Sequence, residues 1–231
     1  MVDGRPHSLQ VEQATVGYGR HEAVLNTVRM HLEEGAVHLL IGRNGSGKST
    51  LLRAMAGLHP LRSGRIRVNG QEIHGLNERV RAELVAYVAS TPPRTSQLRV
   101  GQVLELVARD RSETRAVLHA FGEKDWWDRR LDTLSDGEAQ RVMFARALLQ
   151  ETPWVLMDEP TAFLDVPSKR AFWEHLVVAA ERGQRLVLAT HDYEALARSG
   201  SIDSVHLIQD GTVSALDPRS KPEEWTLKME R

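Results

Sequence analysis

A glycine-rich stretch near the start of the chain limits its fold more than any other feature. It runs Gly42-Arg43-Asn44-Gly45-Ser46-Gly47-Lys48-Ser49-Thr50 and satisfies the pattern G-x-x-x-x-G-K-[ST]. An apolar run over residues 36–41 precedes it and predicts a buried strand, and residues 51–56 behind it predict a helix. Because the glycines let backbone N–H groups approach an anion at the start of that helix, this order of strand, loop and helix indicates a phosphate-binding loop.

Two side chains of the loop have the chemistry that a bound nucleotide needs. The Lys48 ammonium would reach the β- and γ-phosphates, and the Ser49 hydroxyl would ligate Mg²⁺. The alternative is a glycine-rich turn that matches the pattern by chance. The predicted strand and helix on either side favour the nucleotide site.

The composition is that of an ordinary folded chain, and it limits the classes of partner that we expect. With 231 residues it is long enough for one large domain, or for a domain that carries a subdomain. A formal net charge of −1 gives no electrostatic reason to expect nucleic acid or an anionic membrane as a partner. The absence of cysteine excludes disulfides and thiolate metal sites. No apolar leader opens the sequence and no apolar run nears the ~18 residues of a membrane span, so we expect neither secretion nor membrane crossing.

The segments before the loop have the pattern of antiparallel β-structure. Residues 8–16 and 23–32 predict two strands, and residues 33–35 predict a hairpin-like turn into the strand at 36–41. Between the two strands, a turn presents the ring of Tyr18. This ring either stacks on an adenine or packs on the sheet as a turn tyrosine, and its position favours stacking.

A loop with two prolines follows the next predicted strand. The strand covers residues 84–88 and comes after a short helix that Asn77 can cap. Residues 89–96 contain Pro92 and Pro93 and can continue neither element, because proline lacks an N–H donor and fixes φ. We therefore predict a loop at the carboxyl end of a strand, where α/β proteins place ligand contacts.

A helical insertion is predicted over residues 99–130. Apolar residues recur there at helical spacing, with Ser112 as an N-cap between two segments. Trp126 and Trp127 either face a partner or cover a small helical core, and the core is the commoner arrangement for such rings.

The sequence Leu134-Ser135-Asp136-Gly137-Glu138 predicts the start of another helix. Ser135 and Glu138 have the spacing of a capping box, which presents free backbone N–H groups and the positive end of the helix dipole. On this spacing alone, Ser135 is a plain N-cap.

Two adjacent carboxylates end the apolar strand predicted from Trp154. Successive side chains of a strand point to opposite sides, so Asp158 can enter a Mg²⁺ shell while Glu159 polarises an attacking water. Acidic groups at the end of a buried strand are costly unless they are ligated or paired. A purely structural role for this pair is therefore disfavoured.

Two more polar residues stand at the ends of predicted elements. Asp165 precedes a helix, where its structural role would be that of a solvated cap. His191 follows a buried strand at 185–190 and can sense a γ-phosphate by a hydrogen bond. Residues 205–216 predict a terminal hairpin, and residues 221–231 predict a charged, loosely docked helix with one tryptophan.

Taken in order, these motifs resemble the nucleotide-binding subunit of ATP-binding cassette (ABC) transporters over nearly the whole chain. The phosphate loop is common to many nucleotidases, whereas the Leu-Ser-Asp-Gly-Glu motif is similar to the signature of this family. The resemblance implies an α/β fold: a P-loop nucleotidase (RecA-like) core with a mixed sheet, an N-terminal antiparallel β subdomain and an inserted α-helical subdomain. It implies a single domain over 1–231, with the ATP-binding core at 1–94 and 146–231 and the helical subdomain at 95–145.

The resemblance also implies a role for each motif residue. The implied catalytic residues are Lys48, Glu159 and His191, and the implied Mg²⁺ ligands are Ser49 and Asp158. The implied ATP contacts are Tyr18, Gly42, Arg43, Asn44, Gly45, Ser46, Gly47, Lys48, Ser49, Thr50, Ser90, Ser135, Gly137 and Asp165. In this family the signature residues contact the ATP of a second copy, and Asp165 would lie between the subunits. Two chains would close head to tail as a homodimer around two nucleotides.

Two departures from the family pattern affect these roles. Asp136 and Glu138 replace Gly and Gln of the usual signature, and Asp136 should point away from the nucleotide because both are negative. Ser90 occupies the position of the family's Mg²⁺- and water-sensing glutamine. Ser90 can still ligate Mg²⁺ directly or through water, but with a shorter reach.

The motif from Asp158 to Pro167 looks like that of the ATPases of importers for iron-siderophores, haem and vitamin B12. The implied partners are two membrane permease subunits and, indirectly, a substrate-binding protein outside the membrane, with no nucleic acid. This would place the chain peripherally on the cytoplasmic face of the inner membrane. Two alternatives share its chemistry: an ABC exporter ATPase, and a soluble cassette protein that acts on ribosomes or DNA.

Overall fold

Two β-sheets organise the computed structural model, which describes residues 7–19, 23–33, 36–93, 95–108, 111–120, 125–198 and 200–230. The strands are β1 (Leu9–Gly17), β2 (Ala23–Leu32), β3 (Val37–Ile41), β4 (Leu61–Val68), β5 (Gln71–Glu72), β6 (Val85–Val88), β7 (Trp154–Asp158), β8 (Arg185–Ala189), β9 (Ser204–Gln209) and β10 (Thr212–Leu216). The α-helices are α1 (Lys48–Met55), α2 (Glu78–Leu84), α3 (Val100–Glu105), α4 (Arg111–Ala120), α5 (Asp136–Leu149), α6 (Val166–Glu181), α7 (Glu194–Arg198) and α8 (Pro222–Glu230). Short 3₁₀ turns lie at Ile73–Gly75 and Leu131–Thr133.

The larger sheet is mixed, with the strand order β10-β9-β3-β8-β7-β6. Neighbours from β9 to β6 run parallel, and β10 joins the edge in an antiparallel hairpin with β9. Every residue of β3 and β7 is buried, which is the pattern expected when both faces of a parallel sheet are covered. The predicted mixed α/β core and the terminal hairpin are confirmed.

Three central strands of this sheet end at the same edge. Asp158, the last residue of β7, pairs with Ala189 at the end of β8, and Leu40 of β3 pairs with Ala189 from the other side. The glycine-rich loop begins at Gly42, directly after β3. The sheet register therefore places the loop, the acidic pair and the residues after β8 together.

The smaller sheet is antiparallel, with the order β2-β1-β4-β5, as predicted for the N-terminal part. The turn predicted at 33–35, however, is not a hairpin, because β2 pairs with β1 while β3 belongs to the other sheet. The burial patterns give the reason: β2 has exposed positions along its length, whereas β3 is buried throughout and suits the interior of a parallel sheet. Residues 34–35 themselves lie outside the described residues.

Helices α3, α4 and α5 share a hydrophobic core of their own. Trp126 is buried in it and Trp127 packs against it, so the helical-core interpretation of the two rings is confirmed. Helix α4 spans Arg111–Ala120, and the predicted Ser112 N-cap concerns a side chain outside the described part of the chain. The boundaries 95–145 for a helical subdomain stay a prediction.

The C-terminal helix is firmly anchored, which corrects the prediction of a loosely docked tail. Trp225 of α8 is 1% exposed and its ring centroid lies 5.6 Å from that of Tyr193. The indole N–H donates to the Asp217 carbonyl at 3.2 Å. One large apolar ring therefore outweighs the charged residues around it in deciding how the helix packs.

Candidate active site

The glycine-rich loop joins β3 to α1 and has the backbone geometry of an anion cradle. A side chain at Gly42 would collide with the Ile208 carbonyl and with Ser46 Oγ. Gly47 is the N-cap of α1 with φ at +107°, a left-handed conformation that favours glycine. The loop therefore needs glycine at both positions, and it ends at the N-terminus of a helix, where backbone N–H groups are free to bind phosphate.

The Lys48 side chain lies inside the loop. Its Nζ donates to the Gly42 carbonyl at 2.7 Å and to the Arg43 carbonyl at 3.2 Å. Burial lowers the pKa of Lys48, while the carboxylates of Glu159 and Asp158 oppose that shift. The ammonium is thus already desolvated and held within the loop that would receive the phosphates.

Ser49 and Asp158 meet across the start of α1 and the end of β7. Ser49 Oγ donates to Asp158 Oδ1 at 2.9 Å, and Asp158 is fully buried. Burial raises the pKa of Asp158, although the hydrogen bond from Ser49 opposes the shift. Within the described residues Asp158 Oδ2 has no hydrogen-bond partner. A buried carboxylate oxygen without a donor is costly unless a ligand or cation meets it.

These two oxygens fit a magnesium ion. Mg²⁺ takes oxygen ligands, keeps several waters and is usually bound through one or two protein groups plus substrate phosphates. In the part of the chain that the structure describes, no group of three or more His, Cys, Asp or Glu side chains comes together as a metal site. A hydroxyl and one carboxylate beside a phosphate loop match the smaller ligand set that Mg²⁺ requires.

Glu159 and His191 form a pair at the edge of this pocket. The His191 Nδ1 atom lies 3.0 Å from the Glu159 carboxylate. The Glu159 N–H donates to the Ala189 carbonyl at 2.7 Å, which ties the residue to the end of β8. The side chain of Glu159 is 17% exposed and that of His191 is 67% exposed, so the histidine faces outward.

Tyr18 lies beside the loop, as the sequence indicated. Its hydroxyl is 3.2 Å from Thr50 Oγ1, and its ring meets His59 edge-on with the centroids 4.7 Å apart. The residue is 48% exposed, so part of the ring is open to a ligand. Adenine stacking by Tyr18 stays a prediction.

Ser135 and Glu138 form the predicted capping box at the start of α5. Ser135 Oγ accepts from the Glu138 N–H at 3.3 Å, and Glu138 Oε2 accepts from the Ser135 N–H at 2.7 Å. Glu138 also pairs with Arg129 at 2.9 Å. Burial raises the pKa of Glu138, but hydrogen bonds from Arg129 and Ser135 outweigh burial and leave it below its ordinary value. The glutamate that departs from the usual signature therefore has a structural partner on each side.

Gly137 and Asp165 belong to a second group of candidate residues next to Ser135. A side chain at Gly137 would come within 2.5 Å of the Phe163 carbonyl, so the start of α5 touches the segment before α6. Asp165 is the exposed N-cap of α6 and accepts from the Ser168 N–H at 2.9 Å. Hydrogen bonding by the Ser168 side chain, and then by its backbone N–H, lowers the pKa of Asp165. Gly137 and the segment before α6 are therefore neighbours, apart from the contacts that join Lys48, Ser49 and the acidic pair.

Sequence reasoning missed two polar links around the site. Asp192, next to His191, forms an ion pair with Lys169 of α6 at 2.6 Å. Gln140 of α5 donates from Nε2 to the Ala89 carbonyl at 3.1 Å, immediately before Ser90. The signal for Gln140 was a polar residue at a core position of a predicted helix, but its partner lies 51 positions away.

A glycine-rich loop between a parallel strand and a helix, with an acidic strand end against it, defines a nucleotide-binding protein of the P-loop class. The family model that matches this chain is that of the ABC transporter, over residues 25–162. The chain belongs to the ABC transporter family, in which it is the ATP-binding ATPase subunit. The recognition of this family from its motifs, and of its fold, is confirmed.

Relatives and a solved structure agree with this assignment. The zinc transport system ATP-binding protein TroB of Treponema pallidum is 34% identical over 210 residues, which cover 85% of this chain and 77% of TroB. The iron(3+)-hydroxamate import ATP-binding protein FhuC of Bacillus subtilis is 30% identical over 205 residues, 83% of this chain and 76% of FhuC. A solved ATP-binding subunit of an ABC transporter superposes with a TM-score of 0.85 at 27% identity, covering 96% of this chain and 99% of that one. Among the described helices, none has the length and apolar character to span a bilayer.

Proposed function

We propose that this chain powers an ABC importer for iron-siderophore, haem or cobalamin-type cargo by hydrolysing ATP on the cytoplasmic face of the inner membrane. The observation that carries the proposal is the joined set of Lys48, Ser49 and Asp158 beside the Glu159–His191 pair. The cargo class is supported by relatives named for import of iron(3+)-hydroxamate and hemin. One relative is named for zinc transport, so a bare metal ion is a further cargo to test.

In this mechanism the residues of one chain bind and orient the triphosphate. The loop from Gly42 to Thr50 receives the phosphates on its backbone N–H groups, with Lys48 moving from the loop carbonyls to the β- and γ-phosphate oxygens. Ser49 and Asp158 would hold Mg²⁺, which neutralises charge on the phosphates when bound. Tyr18 offers its exposed ring to the adenine.

The Glu159 carboxylate then orients the attacking water and accepts its hydrogen bond. His191 holds this carboxylate from the outer side and is free to turn toward the γ-phosphate, since two-thirds of its side chain is exposed. Such a reaction depends on positioning and on charge stabilisation rather than on a covalent intermediate. The role of Ser90 would be a ligand or water contact near Asp158, with a shorter reach than glutamine has.

The second half of each pocket comes from a second copy of the chain. The capped N-terminus of α5 presents Ser135 and Gly137 on the outside of the molecule, where an anion would have to come from elsewhere. Glu138 is engaged by Arg129, so its negative charge is offset next to this surface. Asp165, exposed at the start of α6, would lie in the contact between the copies. Two chains would close head to tail on two ATP molecules and open after hydrolysis.

The cargo and the membrane partners can be tested with the full chain. Affinity capture of the Glu159→Gln variant with ATP from solubilised membranes should recover polytopic permease subunits. Deleting the chain should abolish uptake of one labelled cargo among ferric siderophore, haem, cobalamin and Zn²⁺. Co-sedimentation with ribosomes instead of a membrane protein, together with unchanged uptake of all four, would contradict the proposal.

A further inference from the structure

A buried glutamine connects the signature helix α5 to the segment that follows β6. Gln140 lies early in α5 and is 1% exposed. Its Nε2 donates to the Ala89 carbonyl at 3.1 Å. The link runs from a side chain to a backbone group, so it positions the segment whatever side chain occupies residue 90.

That segment borders the acidic end of β7. In the parallel register of the two strands, Val88 of β6 pairs with Met157 of β7, so Ala89 comes alongside Asp158. Asp158 is the residue whose second carboxylate oxygen is buried without a partner among the described residues. A shift of Ala89 would therefore disturb the neighbouring end of β7, where the phosphates and their cation are expected.

Gln140 also borders the segment that follows Glu159. Gln140 Oε1 is buried and has no hydrogen-bond partner within the described residues. Gln140 lines a cavity of about 200 Å³ together with Pro160 and Leu164, which lie between Glu159 and Asp165. A buried acceptor without a donor is costly, so water or a group that moves toward Oε1 would have to supply one. The Gln140 side chain thus lies between the segment that follows β6 and the segment that follows β7.

We propose that Gln140 is a positioning residue for ATP hydrolysis, which fixes the segment at residues 89–90 against α5 and passes a displacement of the signature helix to the groups around Asp158. Ser90 has only a short hydroxyl side chain. The Gln140 amide holds this segment through the Ala89 carbonyl, so the hydrogen bond does not depend on which residue occupies position 90. The inference rests on the ATP site and on the two-chain arrangement proposed above.

The test substitution is Gln140→Met, which keeps the length of the side chain and removes its N–H donor. Turnover at saturating ATP should fall about 10-fold or more, since residues that orient a metal ligand or a reacting group typically cost that much when lost. The Kd for ATP should stay within about twofold, because Lys48 and the loop are untouched. Gln140→Asn, which stays polar but is too short to reach Ala89, should move turnover in the same direction if the methionine variant folds poorly.

The matched control is a glutamine at the other end of the same helix. Gln150 caps α5 and donates from Nε2 to the Ala82 carbonyl of α2 at 2.7 Å. Gln150→Met removes the same kind of hydrogen bond from the same helix, at a distance along it from the signature end. Its turnover should stay within about twofold of wild type. Equal losses of turnover in the two methionine variants would show that Gln140 is a general structural residue and would overturn the proposal.

A double substitution tests whether Gln140 and Ser90 act through the same segment or independently of each other. If Gln140 acts by placing the Ser90 hydroxyl through the backbone of residues 89–90, Ser90→Ala combined with Gln140→Met should lose no more turnover than the more damaged single variant. Losses that multiply would overturn the inference, as would a fully active Gln140→Met. Glu159→Gln is assayed alongside: an inactive Glu159→Gln beside a normal Gln140→Met refutes the role of Gln140 alone, whereas a fully active Glu159→Gln refutes the proposed site.

Discussion

Glu159 holds a backbone conformation that is unusual for a residue with a side chain. Its φ is +44°, and its N–H is anchored to the Ala189 carbonyl. A non-glycine residue in such a region costs roughly 1–3 kcal/mol and persists where the surrounding structure enforces it, which happens often at active sites. Here the conformation directs the carboxylate to His191 beside the phosphate loop, which agrees with a role in hydrolysis.

Replacing this carboxylate should separate binding from turnover. Glu159→Gln should lower the rate of ATP hydrolysis by about 10²-fold or more, because a neutral amide polarises the attacking water less than a carboxylate does. ATP affinity should be retained, since the loop and Lys48 are unchanged. Both are measured by phosphate release and by equilibrium binding. The control Glu174→Gln, on the exposed face of α6, should hydrolyse at the wild-type rate, and a Glu159→Gln variant that keeps more than half of that rate would refute the assignment.

Asp158 illustrates a stability cost at a functional position. Its charged form is disfavoured by burial, and one of its oxygens lacks a partner among the described residues. Asp158→Asn should therefore raise the Tm of the ligand-free chain while it lowers Mg²⁺-dependent hydrolysis by about 10²-fold. The control is Asp203→Asn, since Asp203 Oδ2 accepts from the Ala36 and Val37 N–H groups at 2.7 and 2.9 Å. Asp203→Asn should lower the Tm and leave the Mg²⁺ dependence intact; the same Tm shift in both variants would contradict this interpretation.

At the scale of elements, the strands that build the site were predictable because each one is a short apolar run followed by polar residues. This holds for β3 before the loop, β7 before the acidic pair and β8 before His191. Partners distant in sequence were not predictable in this way. The Gln140–Ala89 and Lys169–Asp192 contacts depend on how elements pack, and no local pattern in the sequence encodes them.

Helix α8 shows a different limit of sequence reasoning. Its charged residues suggested weak docking, but the structure buries the Trp225 ring completely against Tyr193. Average polarity does not reveal that a single large side chain decides how a short helix packs.

The anchoring of α8 can be measured by unfolding. Trp225→Ala should lower the free energy of unfolding by about 3–5 kcal/mol, because the truncation leaves a cavity and leaves the Asp217 carbonyl without its donor. Leu227 on the same helix is 57% exposed, and Leu227→Ala should cost no more than about 0.5 kcal/mol. Urea denaturation of the two variants measures these free energies of unfolding. Similar losses of unfolding free energy in both variants would show that α8 is loosely packed.

At the scale of the whole molecule, two buried histidines link folding to pH. His38 and His206 share Ser204 Oγ, at 2.9 and 3.1 Å. Burial lowers the pKa of each to about 4, and for His38 the neighbouring His206 and Arg185 add to the shift while Asp203 opposes it. The unfolded chain binds these protons near pH 6.5, whereas the folded chain does so near pH 4.

Stability should therefore fall as the pH drops from about 6.5 to about 4. Each histidine accounts for up to about 3 kcal/mol at the acid end, with a smaller sum because the two sites interact. The slope of unfolding free energy against pH measures this, and His38→Gln should flatten it. The same substitution at the exposed His31 serves as control, and an equal slope in wild type and His38→Gln would exclude the effect.

The two-sheet architecture was inferred from the order of the motifs, but the path between the sheets was not. Turn residues at 33–35 indicated a hairpin, and the choice of partner for β3 is made by its burial on both faces. Likewise, the sequence and the structure of a single copy contain both halves of the proposed pocket, but they do not show how the two halves come together. In the proposed arrangement, the loop with Lys48 and the N-terminus of α5 with Ser135 would meet around one nucleotide only when a second chain is present.

The rate of ATP hydrolysis per chain, measured against chain concentration with light scattering on the same samples, tests this shared pocket most directly. If two copies complete each pocket, the rate per chain should rise with the dimeric fraction, vanish in samples that contain monomers alone, and drop in Ser135→Ala at every concentration. A constant rate per chain in strictly monomeric samples, unaffected by Ser135→Ala, would contradict the account.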